Sequence, residues 1–227
     1  PVEARDRVIL TPRNDTSLRI NDIILERQGG EEVVSCSADS VECEDPADDE
    51  LYSVEYLNSL NFSGLPPHKL KLKIGCTVML LRNLNTERGL CNGSRLVVRE
   101  IYDRFLVCET IIGGQLVMIP KIQLYTAKNY LPFKFKRFQF PLRLAYSITI
   151  NKAQGQTIKY AGVLLEKPVF GHGQLYVALS RAQSFQNLKV QVDKVPGKQG
   201  LFSGKMYTAN VVYTQIIREV PNQVNGR

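Results

Sequence analysis

The sequence predicts an α/β fold with a small β-barrel set into it, and three observations carry that class. A buried-type run, Arg7-Val-Ile-Leu-Thr11, stops at Pro12 and passes at once into a helical pattern. Four short β-branched runs then crowd into about 50 residues after Leu65, separated by glycine and asparagine turns. Apolar and alternating strands resume after Phe133. The β-rich stretch therefore reads as an insertion between two parts of one parallel-sheet lobe. The expected division is 5–64 for the first part of the lobe with an acidic connecting segment, 65–132 for the barrel, 133–192 for the rest of the lobe, and 193–227 for a tail. With 227 residues the chain has length for two modest units.

After Pro12, Asn14 or Asp15 can cap a helix that carries Leu18, Ile20, Ile23 and Ile24 inward. The turn Thr11-Pro-Arg-Asn14 then lies at the carboxyl end of a strand, where open α/β sheets bind ligands; plain helix capping explains the same residues. The barrel strands are expected at Thr77 to Leu81, Arg95 to Ile101, Phe105 to Thr110 and Gln115 to Ile119, with Asn92-Gly93 and Gly113-Gly114 as turns. Phe133-Lys-Phe-Lys-Arg-Phe-Gln-Phe140 alternates at the strand period, with an aromatic face inward and basic residues facing either solvent or a nucleic-acid backbone. Further strands are expected at 142–150, 160–165 and 188–192. A helix over 173–182 would bury Leu175, Tyr176 and Leu179. Beyond Pro196 no firm pattern is visible.

The formal charge is +7, unevenly spread: residues 31–55 hold ten acidic side chains and neither Lys nor Arg. Elsewhere 29 basic residues face 12 acidic ones, an excess that suits a polyanionic partner. The acidic stretch reads as a solvated loop, with shielding of a basic groove as the alternative. No run approaches the ~18 apolar residues of a membrane span, so no membrane partner is expected. The chain starts at Pro1 with charged residues, like a cut or incomplete reading frame. Five cysteines without a C-x-x-C pair, and two histidines, make a metal site unexpected and fit reduced, mostly buried thiols.

Two phrases carry the chemistry. In Asn151-Lys-Ala-Gln-Gly-Gln-Thr157, Gly155 permits a turn whose amides could converge on an anion, although a polar strand-to-helix loop has the same composition. In Gly173-Gln-Leu-Tyr-Val-Ala-Leu-Ser-Arg181, Arg181 is either a helix-end charge or a reaching group for phosphoryl oxygens. The phosphate loop G-x-x-x-x-G-K-[ST] is missing, since Gly200-Leu-Phe-Ser-Gly-Lys205 is one residue short between glycines and Met206 follows it. Gly162-Val-Leu-Leu-Glu166 has the look of a metal-coordinating strand but lacks a second acid, and reads as core.

Together these phrases resemble motifs V and VI of the Pif-type DNA helicases of superfamily 1B. Leu10-Thr-Pro-Arg-Asn14 resembles motif IV. Leu65-Pro-Pro-His-Lys-Leu-Lys-Leu-Lys-Ile-Gly75, Met79-Leu-Leu-Arg-Asn-Leu-Asn85 and Gly89-Leu-Cys-Asn-Gly93 resemble the family's inserted, SH3-like 2B domain. The wording is nearest to helicases of Helitron-type transposons. The resemblance implies the second RecA-like lobe, 2A, of an ATP-dependent 5′-to-3′ DNA helicase, with 2B inserted. It implies Arg181 as arginine finger, Gly155 and Gln156 beside the nucleotide, and Thr11, Asn14, Thr149, Asn151 and Lys152 on the DNA backbone. Asn151 stands where cellular members commonly have histidine, so no proton transfer is expected there. ATP, with Mg2+ held by a missing N-terminal RecA-like lobe, is the implied cofactor. Single-stranded DNA, duplex junctions and that lobe are the implied partners, in an intracellular, nuclear or mitochondrial setting. A non-catalytic nucleic-acid-binding module, or transposon-derived relic, is the alternative.

Overall fold

The structure is a computed structural model that describes residues 5–42, 51–126 and 133–213. In chain order the elements are β1 (Arg7–Thr11), α1 (Asn14–Arg27), β2 (Val33–Cys36), β3 (Ala38–Glu42), α2 (Val54–Ser59), β4 (Lys69–Leu72), β5 (Thr77–Leu80) and β6 (Arg95–Ile101). They continue with β7 (Phe105–Thr110), β8 (Leu116–Pro120), β9 (Ile122–Tyr125), β10 (Lys134–Gln139), β11 (Leu142–Leu144) and β12 (Ser147–Thr149). After a 3-10 turn at Ile150–Ala153 come β13 (Tyr160–Leu165), α3 (Gln174–Leu179), β14 (Leu188–Val192), β15 (Gln199–Phe202) and β16 (Lys205–Thr208). Two compact units result. One holds Arg5 and Ile20–Tyr146, the other Asp6–Arg19 and the described residues from Ser147 on.

The second unit contains a parallel sheet of order β12-β1-β13-β14. Its inner strands β1 and β13 bury Val8, Leu10, Ala161, Val163 and Leu165 on one face, while Ile9, Gly162 and Leu164 on the other are half-buried. The first turns of α1 are tied to this sheet by polar groups: Ser17 Oγ donates to the Ser147 carbonyl at 2.9 Å, and Arg19 pairs with Glu166. Glu166, the acid of the rejected metal strand, also accepts from Thr16 and is thus a structural anchor.

The larger unit is antiparallel and β-rich, with a five-stranded sheet β11-β5-β6-β7-β8 and two smaller ones, β3-β10-β9 and β2-β4. Leu70, Leu72, Val78, Leu80, Leu96 and Leu106 form its main core, together with the buried thiols of Cys76 and Cys108. Burial pushes both thiols up to about 12, so they are inert apolar filler. The expected strands and glycine turns are present, Gly93, Gly113 and Gly114 all at positive φ. The five-stranded order is open: among the described residues β11 and β8 form no pair, and no closed barrel is found.

Several expectations change. On α1, Leu18 is 46% exposed, while polar Ser17 and Asn21 line the buried face with Ile20 and Leu25 because carbonyls of 147 and 144 await their side chains. Part of the acidic stretch is strand: β2 pairs with β4 and β3 pairs with β10. Its centre, Glu44 to Glu50, lies outside the described residues. The strand expected over 142–150 breaks at Ala145-Tyr146, β11 pairing with β5 and β12 with β1. Helix α3 buries Gln174 and Ala178 rather than its large residues, leaving Tyr176 74% exposed. Residues 199–208, expected to be tail, form the hairpin β15–β16.

Candidate functional site

The carboxyl ends of β1 and β12 place two of the expected residues side by side, since Thr11 and Thr149 are register partners in the parallel pair. Parallel neighbours lie ~4.8 Å apart, so the segments that follow them leave the sheet together. Thr11 is fully buried and its hydroxyl donates to the Arg13 carbonyl at 2.8 Å. It shapes the turn and cannot itself present a hydroxyl to a ligand. Asn14 is exposed in the first turn of α1, where Asp15 accepts the Thr16 amide. Thr149 is half-buried, and its hydroxyl makes no capping bond to the 3-10 turn that follows.

Asn151 is exposed on that 3-10 turn, and the residue that orients it is Gln174, which sequence reasoning missed. Gln174 is 4% exposed. Its Oε1 accepts the backbone amides of Phe170 at 3.0 Å and Gly171 at 3.4 Å, which fixes which end of the amide is which. Nε2 must then donate to Asn151 Oδ1, at 3.3 Å. The Asn151 oxygen is thereby engaged, and its NH2 is the end left for a ligand. A donor at that point suits a phosphate oxygen and carries no proton-transfer chemistry. The only sequence signal for Gln174 was its place after Gly173, whose φ of +71 marks the sharp entry to α3.

The loop beyond Asn151 closes on itself. The Gln156 amide donates to the Ala153 carbonyl at 3.0 Å, the Gln154 amide reaches the Asn151 carbonyl at 3.4 Å, and Gln156 Nε2 donates to the Lys152 carbonyl at 3.0 Å. Two amides expected to converge on an anion are therefore used within the turn, a correction to the cradle reading. Gly155 has φ +79 and open space where a Cβ would stand, so backbone conformation alone calls for glycine there.

Arg181 faces this loop. The half-buried guanidinium donates from Nη1 to the Gln156 carbonyl at 3.2 Å, from Nε to the Val177 carbonyl at 3.1 Å and from Nη2 to Ser180 Oγ at 3.0 Å. The adjoining backbone repeats the link, since the Ile158 amide donates to the Arg181 carbonyl and the Gln183 amide to the Ile158 carbonyl. These bonds precede β13 and β14. The expected site thus separates into two clusters of one unit: Thr11, Asn14, Thr149 and Asn151 after the carboxyl ends of strands, and Gln156 with Arg181 before amino ends. Residues 149–157 join them. Lys152 is half-buried between the two.

Residues 55–101 match the family model described as DNA helicase Pif1, 2B domain. The ATP-dependent DNA helicase PIF1 of Danio rerio is 40% identical over 129 residues, covering 53% of this chain and 19% of that protein. The chain is related to the C-terminal region of Pif1-type DNA helicases. The crystal structure of Pif1 helicase from Candida albicans superposes with a TM-score of 0.64 at 28% identity, covering 83% of this chain and 45% of that one. The Bacteroides Pif1 solved with ADP-AlF3 and single-stranded DNA shares the fold at a TM-score of 0.56 and 23% identity, over 83% of this chain and 41% of that one. The matches span about a fifth to a third of the length of curated Pif1 relatives such as those of Danio rerio and Campylobacter jejuni.

Proposed function

We propose that the chain is the second motor lobe of an ATP-dependent 5′-to-3′ DNA helicase: lobe 2A, carried by the parallel sheet of β1, β12, β13 and β14, with an SH3-like 2B insertion of Helitron-type ancestry within the β-rich unit. Its kinship with Pif1-type helicases supports that reading. The observation that carries it is the double use of residues 149–157. One end of the segment offers Thr149 and the oriented Asn151 amide, with Asn14 beside them and Lys152 adding charge, for a single-strand backbone. The other end receives Arg181 on Gln156.

Residues of this chain fit the finger side of a nucleotide site. Gly155 leaves open space and Gln156 holds the Arg181 guanidinium within its own loop. ATP, when bound, supplies the free energy of phosphoryl transfer, and Arg181 would stabilise charge on the phosphoryl oxygens, where lysine lacks the planar fork. Among the described residues no three His, Cys, Asp or Glu side chains group to hold a metal ion. The Mg2+ ligands and phosphate loop are assigned to an N-terminal RecA-like lobe, the expected partner along with single-stranded DNA and duplex junctions, in the nucleus or mitochondrion. Among the described residues no helix is long and apolar enough to cross a membrane.

The second reading, a binding module without a motor, draws on one observation: three Arg181 donors are already bonded within this chain. Oligo(dT) binding and ATPase assays on the chain test the proposal. Salt-sensitive binding without turnover is expected. DNA-stimulated ATP hydrolysis by the chain alone would refute the division between lobes.

A further inference from the structure

Residues 199–208 belong to none of the motifs used above, yet they are firmly placed. Gln199 is 1% exposed, and its Nε2 donates to the Leu165 carbonyl at 2.6 Å and the Asp193 carbonyl at 2.9 Å, while its Oε1 accepts from Thr208 Oγ1 at 2.8 Å. Leu165 is the last residue of β13, and Asp193 follows β14. The hairpin β15–β16 is thereby pinned to the carboxyl edge of the parallel sheet. Thr149 and Asn14 follow the same edge, at β12 and β1. Three strand spacings, ~14 Å, separate β12 from β14. That span equals about four stacked nucleotides at ~3.4 Å each.

The hairpin has two unlike faces. Pairing of Gly200 with Tyr207 and Phe202 with Lys205 puts those four on one side. Phe202 and Tyr207 meet edge to face with centroids 6.1 Å apart, and both are exposed, Phe202 by 71%. Gly200 opposite Tyr207 leaves room that the aliphatic stem of Lys194 covers, 3.4 Å from where a Cβ would stand. Two aromatic rings are thus flanked by two exposed lysines. From 167 to 213 six Lys and Arg residues face one acid, Asp193. An exposed aromatic pair inside a positive field matches a polyanion that carries flat apolar groups.

We propose that the β15–β16 hairpin is a base-stacking contact for single-stranded nucleic acid, in which Phe202 and Tyr207 stack bases and Lys194 and Lys205 hold the adjoining phosphates, extending the track that begins at Thr149 and Asn151. This rests on the single-strand reading of that track.

The test is oligo(dT) affinity of the full chain against salt concentration. Phe202→Leu with Tyr207→Leu keeps apolar bulk and removes both π faces. It should weaken binding about tenfold or more and leave the salt slope unchanged. Lys205→Gln should lower the slope by about 0.7. In the unaltered chain, 5-iodouridine in the oligonucleotide should photo-cross-link to peptide 199–208. Wild-type affinity in the leucine variant, or cross-links confined to 149–152, overturns the hairpin contact and leaves the track reading intact; an exposed apolar hairpin would then serve a protein partner. Absence of oligo(dT) binding by the wild-type chain removes both.

Discussion

Asn151 presents a donor because Gln174 leaves it no other choice. Two backbone amides occupy the Gln174 oxygen, its nitrogen takes the Asn151 oxygen, and the Asn151 NH2 remains for a phosphate. Asn151→Asp replaces that donor with a charged acceptor and should weaken oligo(dT) binding by about tenfold or more. Gln174→Ala should weaken it less. The discriminating measurement is the double variant Asn151→Ala with Gln174→Ala: it should bind no worse than Asn151→Ala alone, since the two act through one contact. Additive losses would give Gln174 a separate role. The phrase around Asn151 made it a candidate, but its orientation was not legible, because Gln174 lies 23 positions away and approaches only through the turn at Gly173.

At the scale of elements, legibility followed periodicity. β1, β6, β7, β13 and β14 appear where β-branched runs fall between turn residues. β10 shows the limit. The aromatic positions 133 and 135 share one phase of the strand and 138 and 140 the other, so the inward face continues from Phe133 and Phe135 to Arg137 and Gln139, and Phe138 is 42% exposed. What makes an inward arginine tolerable comes from β3: Asp39 accepts from Arg137 Nε at 2.9 Å and Nη2 at 2.6 Å, and the Pro66 carbonyl takes Nη1 at 3.0 Å. Both charged side chains are fully buried. Part of the acidic stretch is thus an internal counterion. Arg137→Ala should cost about 3–5 kcal/mol in urea unfolding, because buried Asp39 would keep only the Ser37 hydroxyl and the His68 ring beside it, and Arg137→Ala with Asp39→Ala should cost less than the sum. A loss under about 1 kcal/mol would mean that water reaches Asp39. The break at Ala145-Tyr146 was equally hidden, since its apolar run fits one long strand as well as two short ones.

For the whole molecule, the motor-lobe proposal rests on the sequence motifs and the parallel sheet, while the hairpin at 199–208 could not be read locally because its anchor, Gln199, finds its partners at Leu165 and Asp193. The central claim is that Arg181, held on Gln156, acts on a triphosphate carried mainly by another lobe. Arg181→Ala in the complete helicase, assayed for DNA-stimulated ATP hydrolysis and for single-strand affinity in parallel, tests it most directly. Hydrolysis should fall by about 10³-fold or more with affinity largely unchanged; a loss of DNA affinity with hydrolysis preserved at saturating DNA would contradict it.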